Sequence, residues 1–478
     1  MYAAALIPYS HDFENMVLVV WICKDNKKDK NVRNDKSHVF VILPARERKA
    51  GIRIFIPFMA KPVEDERNES TPFWKKLGPG LVTGASDDDP SGIATYSQAG
   101  AKFGLSFLWT AVFTFPLMAS IQETCARIGL VTRMGLSGTL RTHYPRWVLW
   151  LMILFSFPAI VINIGADLAG MGAVAEMLVP EVEAHWFSLL FAFVITFLVI
   201  RLPYVQIARV LKWTCSVLLC YLVVPFLTSV NFGEVFSNTI WPKFSFNEDF
   251  LLMLVGILGT TISPYLFFWQ ADMEMEEALE RKLVVDKKII GDMEWDVDFG
   301  IFFSNLVFYF IILTTGTVLY SAGIHDINTV EEAAGALRPL AGELSYILFA
   351  TGVIGTGFLA IPVLAGSLSY LIAEAFAFEE GLNKKFQEAK MFYGVLIVAM
   401  VVALLIPALG FSPVQSLIYA AVFYGITSPV LIAIILHIAN NKNIMGDFVN
   451  TRRSNVLGAI TFLLMAVSSL VLLYLLMR

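Results

Sequence analysis

Apolar runs of about 20 residues recur from residue 77 to the end of this 478-residue chain. A helix of that length crosses the hydrocarbon core of a bilayer, where every backbone polar group must find a partner inside the protein. Only 16% of the residues are charged, whereas soluble proteins carry about a quarter. The sequence therefore predicts an all-α polytopic membrane protein.

Eleven membrane-spanning helices account for these runs. The third and the eighth are long enough to need a tilt or an extension into the interface. The predicted spans are residues 78–102, 106–126, 147–175, 185–202, 208–230, 249–272, 298–321, 344–376, 391–409, 416–439 and 455–477.

Basic residues concentrate in every second loop between these spans, and such loops face the cytoplasm in membrane proteins. The sequence thus predicts a multi-pass protein of the cell membrane with a cytoplasmic N-terminus and an external C-terminus. The other set of loops carries only Lys102, Lys243, Arg338 and Arg478. The basic set carries Arg127, Arg133, Arg141, Arg146, Arg201, Arg209, Lys212, Arg281, Lys282, Lys287, Lys288, Lys384, Lys385, Lys390, Lys442, Arg452 and Arg453.

Residues 1–76 differ from the rest because they are rich in charge and contain no run long enough to span. They are predicted to form a disordered cytoplasmic tail, and residues 77–478 are predicted to form the transmembrane domain. Met59 is a candidate initiator, in which case residues 1–58 would be an upstream extension.

Several classes of function lack their usual sequence markers. The chain has no G-x-x-x-x-G-K-[ST] loop, no H-E-x-x-H, no G-x-S-x-G and no basic stretch with interleaved aromatic residues. Its four cysteines form no CxxC or Cys/His cluster, so we expect neither a disulfide framework nor a zinc site. We therefore expect no enzymatic activity, no cofactor and no nucleic-acid partner.

The stretch "GASDDDPSGIATY", residues 84–96, places three carboxylates and two helix breakers inside the first predicted span. One interpretation is a solvated turn between two helices, since Asp, Pro, Ser and Gly are turn formers. The other is a transmembrane helix broken at "DDDPSG". Irregular backbone at membrane depth is tolerated where it lines a cavity, and intramembrane acids normally face a pathway.

The sixth predicted span contains a second candidate break, "GTTISPY" at residues 259–265, with Pro264 in mid-membrane. Taken alone it could be a simple proline kink. Five spans separate it from the first break, so that each break opens a five-helix half. Paired broken helices at matching positions are typical of transporters, whose central site lies between them.

With these residues the chain resembles the NRAMP divalent-metal transporters. "GPGLVTGASDDDPSGIATYSQAGAKFG" is similar to the family's first-helix pattern of GPG, DPGN and Q-A-G-A-x-F-G. "AAGALRPLAGELSYILFATGVIGTGFLAIPVLAG" is similar to the seventh-to-eighth-helix region. The resemblance implies a LeuT-type fold with two inverted five-helix repeats plus an eleventh transmembrane helix.

Two departures from the family pattern affect the metal ligands. Asp89 matches the Asp of the DPGN motif, but Gly92 replaces its metal-binding Asn. In the sixth helix the family's A-x-x-M-P-H supplies a carbonyl and a Met thioether, where this chain has Thr260 and Ser263. The pattern resembles the NRAMP-related magnesium transporters, a side branch of the family.

The resemblance implies a metal site at Asp88, Asp89, Gly92, Thr260 and Ser263. We expect Asp89 to be a direct ligand and Asp88 to supply outer-shell charge or part of an entry funnel. Thr260 rests on the resemblance alone. The Ser263 hydroxyl could be a ligand or could bond to its own helix backbone.

Further departures concern the proton route of the family. Its two sixth-helix histidines correspond to Tyr265 and Gln270, and Ile160 and Gly170 stand where the third helix should carry glutamates. Proton coupling needs titratable groups along an internal path. Asp167 and Glu123 remain as titratable groups, although either could be a contact between helices.

These substitutions favour a hard ion. Loss of the thioether leaves oxygen ligands, which suit Mg²⁺, Ca²⁺ and Mn²⁺. The sequence therefore predicts a monomeric importer of Mg²⁺, with Mn²⁺ tolerated, that works by alternating access and is not strictly coupled to protons. The alternative is a proton-coupled Mn²⁺/Fe²⁺ importer of the ordinary family type. A carrier of organic solutes and a non-transporting divalent-cation sensor are the remaining hypotheses.

Two features outside the breaks have open roles. Gln98 could be a gating amide or an ordinary hydrogen bond between helices. Residues 271–298, "ADMEMEEALERKLVVDKKIIGDMEWDVD", are predicted to form a solvated cytoplasmic helix, although their acidic cluster could also sense divalent ions.

Overall fold

The computed structural model describes residues 78–202, 206, 216–406 and 412–477, and every regular element in them is a helix. The predicted tail, 1–76, lies outside the described residues, as does most of the first half of the predicted span 208–230. The main helices are α1 (Pro79–Asp87), α2 (Pro90–Phe103), α3 (Leu108–Thr132), α4 (Arg146–Leu178), α5 (Ala184–Arg201), α6 (Cys220–Leu227), α7 (Glu248–Thr261), α8 (Pro264–Glu280), α9 (Lys287–Val318), α10 (Ser345–Phe376), α11 (Lys390–Ala403), α12 (Pro413–Ala439) and α13 (Arg452–Leu476).

Short elements connect these helices. The α-helical ones are Leu136–His143, Phe232–Ile240, Val330–Ala334, Arg338–Ala341 and Lys442–Met445. The 3₁₀ turns are Ser216–Leu219, Tyr320–Ala322, Gly335–Leu337, Gly342–Leu344 and Gly446–Phe448. Among the described residues, seven helical stretches are long and apolar enough to cross a membrane by themselves.

The first predicted span is a broken helix, so the second of its two interpretations is confirmed and the solvated turn is wrong. Helix α1 ends at Asp87 and α2 begins at Pro90, with Asp89 as its N-cap. Proline suits the first position of a helix because it lacks the N–H that would be unpaired there, whereas inside a helix its ring clashes with the preceding turn. Pro90 therefore ends one half-helix and starts the next.

The second break lies at the matching position five spans later. Helix α7 ends at Thr261, and α8 begins at Pro264. The simple-kink interpretation is wrong, because Ile262 and Ser263 leave the helical conformation completely. The two breaks are both built around a proline at the first position of the second half-helix.

Glycines let the half-helices pack closely against their neighbours. A Cβ on Gly84 of α1 would overlap with the backbone of Gly300 on α9, and a Cβ on Gly259 of α7 would overlap with the carbonyl of Ala421 on α12. Small residues at such contacts allow backbones to approach within a membrane. Two long helices, α9 and α12, thus fix the positions of α1 and α7.

The loops divide between two ends of the bundle. We call one the basic end, where Arg133 donates to the carbonyl of Leu283, and Asn383 of the 377–389 loop donates to Glu280. At the opposite end Lys102 forms ion pairs with Asp249 and Asp326. Three of the loops predicted to lie on one side, those at Arg133, after Glu280 and at 377–389, therefore meet at this end.

The prediction for residues 271–298 is wrong. The segment is no separate solvated helix: it forms the last turns of α8, a short loop, and the first turns of α9. Asp272 and Asp296 in it are only 1% and 4% exposed. Asp296 accepts hydrogen bonds from the backbone N–H groups of Gly78 (2.8 Å) and Gly80 (2.7 Å), so packing against α1 explains its burial.

Among the described residues, Cys125 and Cys220 are free thiols. Cys23 and Cys215 lie outside the described residues.

Candidate metal site

Asp89 stands at the centre of the first break. One carboxylate oxygen accepts from the N–H of Gly92 at 2.6 Å, which is the hydrogen bond of a helix N-cap. The other oxygen accepts from the side-chain amide of Asn163 on α4 at 2.8 Å. Both oxygens are therefore held in place, and Asp89 itself is 2% exposed.

Asp87 and Asp88 precede it at the C-terminal end of α1 and are buried as well. The hydroxyl of Ser304 on α9 lies 2.7 Å from Asp87 Oδ2 and 3.3 Å from Asp88 Oδ1, so it bridges the two carboxylates. Asp87 Oδ1 has no hydrogen-bond partner among the described residues. The structure thus places three adjacent carboxylates inside the protein rather than in a solvated turn.

The second break supplies oxygen atoms of the backbone and of hydroxyls. The Ser263 hydroxyl donates to the carbonyl of Thr260 at 2.5 Å, and the carbonyl of Gly259 lies 3.3 Å from it. This is the backbone-bonded arrangement that the sequence left open for Ser263. Thr260 and Ser263, the two predicted metal ligands of this break, therefore lie side by side and share a hydrogen bond.

The two breaks meet across α2 and α7. A Cβ on Gly92 would stand 3.2 Å from the Thr260 hydroxyl oxygen and 3.4 Å from Asp89 Oδ1, so a side chain here would be tightly packed between the two breaks. One turn further along α2, the Tyr96 hydroxyl lies 3.3 Å from the hydroxyl of Thr261. Four of the predicted residues, Asp89, Gly92, Thr260 and Ser263, are thereby brought to one region, and Asp88 adjoins it.

Helix α4 adds a third side to this region. Asp167 is fully buried and accepts from the N–H of Ser91 at 3.2 Å, so it lies at the first break. Asn163, one turn earlier, donates to Asp89 and lies 3.3 Å from Asp167 Oδ2. Asn163 was not among the site residues predicted from the sequence. The available signal was its i, i+4 spacing from Asp167, which puts the two side chains on one face of the helix.

Tyr265 and Gln270 stand where the resemblance expects two histidines, and neither side chain titrates near neutral pH. The Tyr265 hydroxyl donates to the carbonyl of Ser86 at 2.9 Å. Gln270 accepts from the Thr83 hydroxyl at 2.5 Å and donates to Glu274 at 3.1 Å. Tyr265 and Gln270 therefore both connect α8 to α1, and Gln270 also forms a hydrogen bond within α8.

Gln98 does not reach the breaks. Its amide nitrogen lies 3.2 Å from the carbonyl of His325, and its amide oxygen accepts from the N–H of Ile327 at 2.8 Å. Gln98 therefore attaches α2 to the loop after α9 at the opposite end rather than to another membrane-spanning helix. Its role as a gating amide stays a prediction.

Access to the breaks is closed in this structure, because Asp87, Asp88 and Asp89 are at most 5% exposed. A cavity of about 470 Å³ opens near the opposite end, with Glu176 and Glu331 among its lining residues. A small cavity of about 20 Å³ lies beside Pro90. Val330 and Val414 line both cavities, so they separate the larger one from the first break.

Buried carboxylates in this number need compensation, because a charge moved out of water is costly unless a proton or a cation offsets it. No group of three His, Cys, Asp or Glu side chains in the described part of the chain is arranged to hold a metal ion. A cation at the breaks would therefore use a mixed set of carboxylate, carbonyl, hydroxyl and amide oxygens. Such a set suits hard divalent ions, which also retain some of their water.

Comparison with protein families and with relatives of described function gives one consistent result. The model of the natural resistance-associated macrophage protein-like (Nramp) family matches residues 80–475. A divalent metal cation transporter MntH from Caldanaerobacter subterraneus is 25% identical over 412 residues, which cover 85% of this chain and 94% of the relative. A second one, from Klebsiella pneumoniae, is 24% identical over 389 residues, with 80% and 89% covered.

Solved structures resemble this one over most of its length. The manganese transporter of Eremococcus coleocola has a TM-score of 0.68 and 18% identity, with 84% of this chain and 88% of that chain covered. Mhp1, a nucleobase-cation-symport-1 family transporter in a closed conformation, has a TM-score of 0.52 and 13% identity, with 83% and 91% covered. These likenesses confirm the predicted LeuT-type fold.

Proposed function

The chain belongs to the Nramp family, and we propose that it transports divalent metal ions through the two helix breaks. The observation that carries the proposal is the meeting of Asp89 with Thr260 across Gly92, in a region where several carboxylates are buried. Membership of this family supports a multi-pass membrane transporter rather than an enzyme.

The ion that we propose first is Mn²⁺. The relatives support it, since one structural relative is described as a manganese transporter and the sequence relatives are described as divalent metal cation transporters. They favour Mn²⁺, the ion of the alternative hypothesis, over Mg²⁺. Membership of the magnesium branch stays a prediction.

Mg²⁺ is the second candidate, and specific residues favour it. Ser263 stands where the resemblance expects a thioether, and Gly92 stands where it expects an amide. The remaining oxygen donors suit Mg²⁺ as well as Mn²⁺, and the missing side chains leave space for water that Mg²⁺ gives up reluctantly.

Alternating access would expose the breaks to each end of the bundle in turn. The cavity at the opposite end is the approach from that side, and Val330 and Val414 would have to separate before an ion could pass. From the distribution of basic residues we propose that the basic end faces the cytoplasm.

The driving force in this proposal is the membrane potential. Each elementary charge gains about 2.3 kcal/mol for every 100 mV of membrane potential. A divalent ion that enters a negative interior therefore gains about 4.6 kcal/mol per 100 mV. Tyr265 and Gln270 at the positions of the family's histidines support transport that is not strictly coupled to protons.

Uptake into proteoliposomes tests the function. The full chain is reconstituted with entrapped dyes for Mn²⁺, Mg²⁺ and pH, and a negative interior potential is imposed. We expect protein-dependent entry of Mn²⁺ that Mg²⁺ inhibits, without matching acidification. Absence of any divalent flux would contradict the transport proposal, and stoichiometric acidification would contradict the uncoupled mechanism.

Asp89→Ala tests the site in the same assay. We expect loss of both Mn²⁺ binding and uptake, because the variant removes the carboxylate that both α2 and α4 hold in place. The matched control is Asp286→Ala, which removes an exposed helix cap at the basic end. Normal uptake by a correctly inserted Asp89→Ala protein would mean that the ion does not bind at this break.

A further inference from the structure

Asn163 has an unusual position for an amide in an apolar helix. Its side chain is fully buried, and its nitrogen donates to Asp89 at 2.8 Å and lies 3.3 Å from Asp167 Oδ2. Its oxygen, Oδ1, has no hydrogen-bond partner among the described residues. A buried acceptor without a partner is rare in proteins and calls for an explanation.

The first break offers such an explanation, because it lacks a side chain where the first-helix motif would supply an amide. Gly92 occupies that position, and its N–H donates to Asp89 Oδ1. The amide of Asn163 reaches the other oxygen of the same carboxylate from α4. Asp89 therefore has an amide beside it, but the amide comes from a different helix.

We propose that Asn163 is a ligand of the transported ion and takes the place of the amide that Gly92 cannot provide. The inference rests on the proposed function and adds a specificity-determining residue to it. A carboxamide is a neutral oxygen donor of the kind that Mg²⁺, Ca²⁺ and Mn²⁺ accept.

The two ends of the carboxamide explain how one residue serves both states of the site. Without an ion, the NH₂ group donates to the carboxylates of Asp89 and Asp167 and reduces their repulsion. When a cation lies beside Asp89, a half-turn of the amide about its last side-chain bond presents Oδ1 to the cation. The oxygen and the nitrogen have nearly the same size, so this rotation needs no repacking.

Titration of the purified full-length protein with Mn²⁺, followed by the loss of the free Mn²⁺ signal in electron paramagnetic resonance, tests the assignment. In Asn163→Leu, which has a similar shape but no donor, we expect the Mn²⁺ affinity to fall by about tenfold or more. The matched control is Asn238→Leu on the short helix Phe232–Ile240. Asn238 is also buried, donates to the carbonyl of Glu234 and has an Oδ1 without a partner among the described residues, and we expect its replacement to leave the affinity unchanged.

The outcomes separate this inference from the proposed function. If the wild-type protein binds no Mn²⁺ and no Mg²⁺, the proposed function fails. If it binds Mn²⁺ and Asn163→Leu binds it equally well, the function stands and the assignment of Asn163 is overturned.

A second measurement needs no variant and distinguishes a ligand from a residue that only positions Asp89. The wild-type protein is labelled with ¹³C at the side-chain carbonyl of asparagine, loaded with Mn²⁺ and studied by electron–nuclear double resonance. A carbonyl that binds the ion directly gives a strong ¹³C coupling, and we expect to observe it. Bound Mn²⁺ without that coupling would overturn the assignment.

Discussion

The carboxylate of Asp296 holds the start of the first half-helix, and its removal should cost more stability than the loss of an ordinary helix cap. Asp296 lies on α9, is 4% exposed and accepts from the N–H groups of Gly78 and Gly80. These N–H groups belong to the first turn of α1, where a helix has no acceptors of its own. We predict that Asp296→Ala leaves both N–H groups without this partner, that of Gly80 in a buried and that of Gly78 in a half-buried environment.

The expected cost follows from the two hydrogen bonds. A hydrogen bond to a charged group contributes about 1.5–3 kcal/mol, and some of the sum is recovered because the variant no longer buries a carboxylate. We therefore expect Asp296→Ala to lower the free energy of unfolding by about 3 kcal/mol. Asp296→Asn keeps one acceptor and should lose about half as much.

The chain contains a close control in Asp286, at the start of α9. Its carboxylate also accepts from two backbone N–H groups, those of Lys288 (2.9 Å) and Ile289 (2.8 Å), but it is exposed. Water can replace an exposed cap, so Asp286→Ala should cost only about 1 kcal/mol. The contrast between the two variants isolates the effect of burial.

Thermal unfolding in detergent micelles, followed by tryptophan fluorescence, measures both variants under one condition. We expect the midpoint temperature to fall clearly further in Asp296→Ala than in Asp286→Ala, with Asp296→Asn in between. Equal shifts for Asp296→Ala and Asp286→Ala would refute the reasoning, because they would mean that Gly78 and Gly80 find water when the carboxylate is removed.

Three further predictions concern selectivity and charge. Ser263→Met should raise the affinity for Cd²⁺ relative to Mg²⁺ in a competition titration, because a thioether is a soft ligand; unchanged selectivity would mean that this side chain does not face the ion. Burial, together with the carboxylates of Glu374 and Glu276, raises the pKa of Glu380, in the loop after α10, to about 8. Glu380 therefore favours the folded state fully below the pKa of unfolded glutamate, about 4.3, and this contribution is lost as the pH rises through about 8. The unfolding temperature of the wild type should fall between pH 6 and 9 more steeply than that of Glu380→Gln, and parallel curves would contradict the assignment. Asp272 is 1% exposed, and neither of its carboxylate oxygens has a hydrogen-bond partner among the described residues. A Cβ added to Gly135 would overlap with both Asp272 and Glu374, so these two carboxylates lie close to each other. Asp272→Asn should thus raise the free energy of unfolding by about 1 kcal/mol, whereas the exposed control Glu379→Gln should leave it unchanged. A lower free energy of unfolding in Asp272→Asn would mean that the carboxylate has an attractive partner.

Local sequence determined most of the helices and both breaks of this protein. The span predicted at 185–202 is the helix Ala184–Arg201, and the one at 416–439 lies within Pro413–Ala439. Hydrophobic length sets such spans because the bilayer has a fixed thickness. The breaks were predictable for an equally local reason, since Pro90 and Pro264 cannot occupy a helix interior without disrupting it.

Burial of charge was the part that the sequence left undecided. Asp272 and Asp296 lie in a segment whose composition is typical of a solvated helix, and yet both are inside the protein. Whether a carboxylate is buried depends on what packs against it. For Asp296 that partner is the first turn of α1, more than two hundred residues earlier in the chain.

The full set of side chains at the breaks was likewise decided by the tertiary structure. Sequence pattern and resemblance pointed to Asp89, Thr260 and Ser263, each of which lies at a break. Asn163 and Ser304 lie inside unbroken helices. The i, i+4 spacing from Asp167 is the one local signal for Asn163, and nothing in its own neighbourhood marks Ser304. They reach the carboxylates only because α4 and α9 pack against the first broken helix, and such contacts arise from the way helices fit together rather than from the local preferences of any one of them.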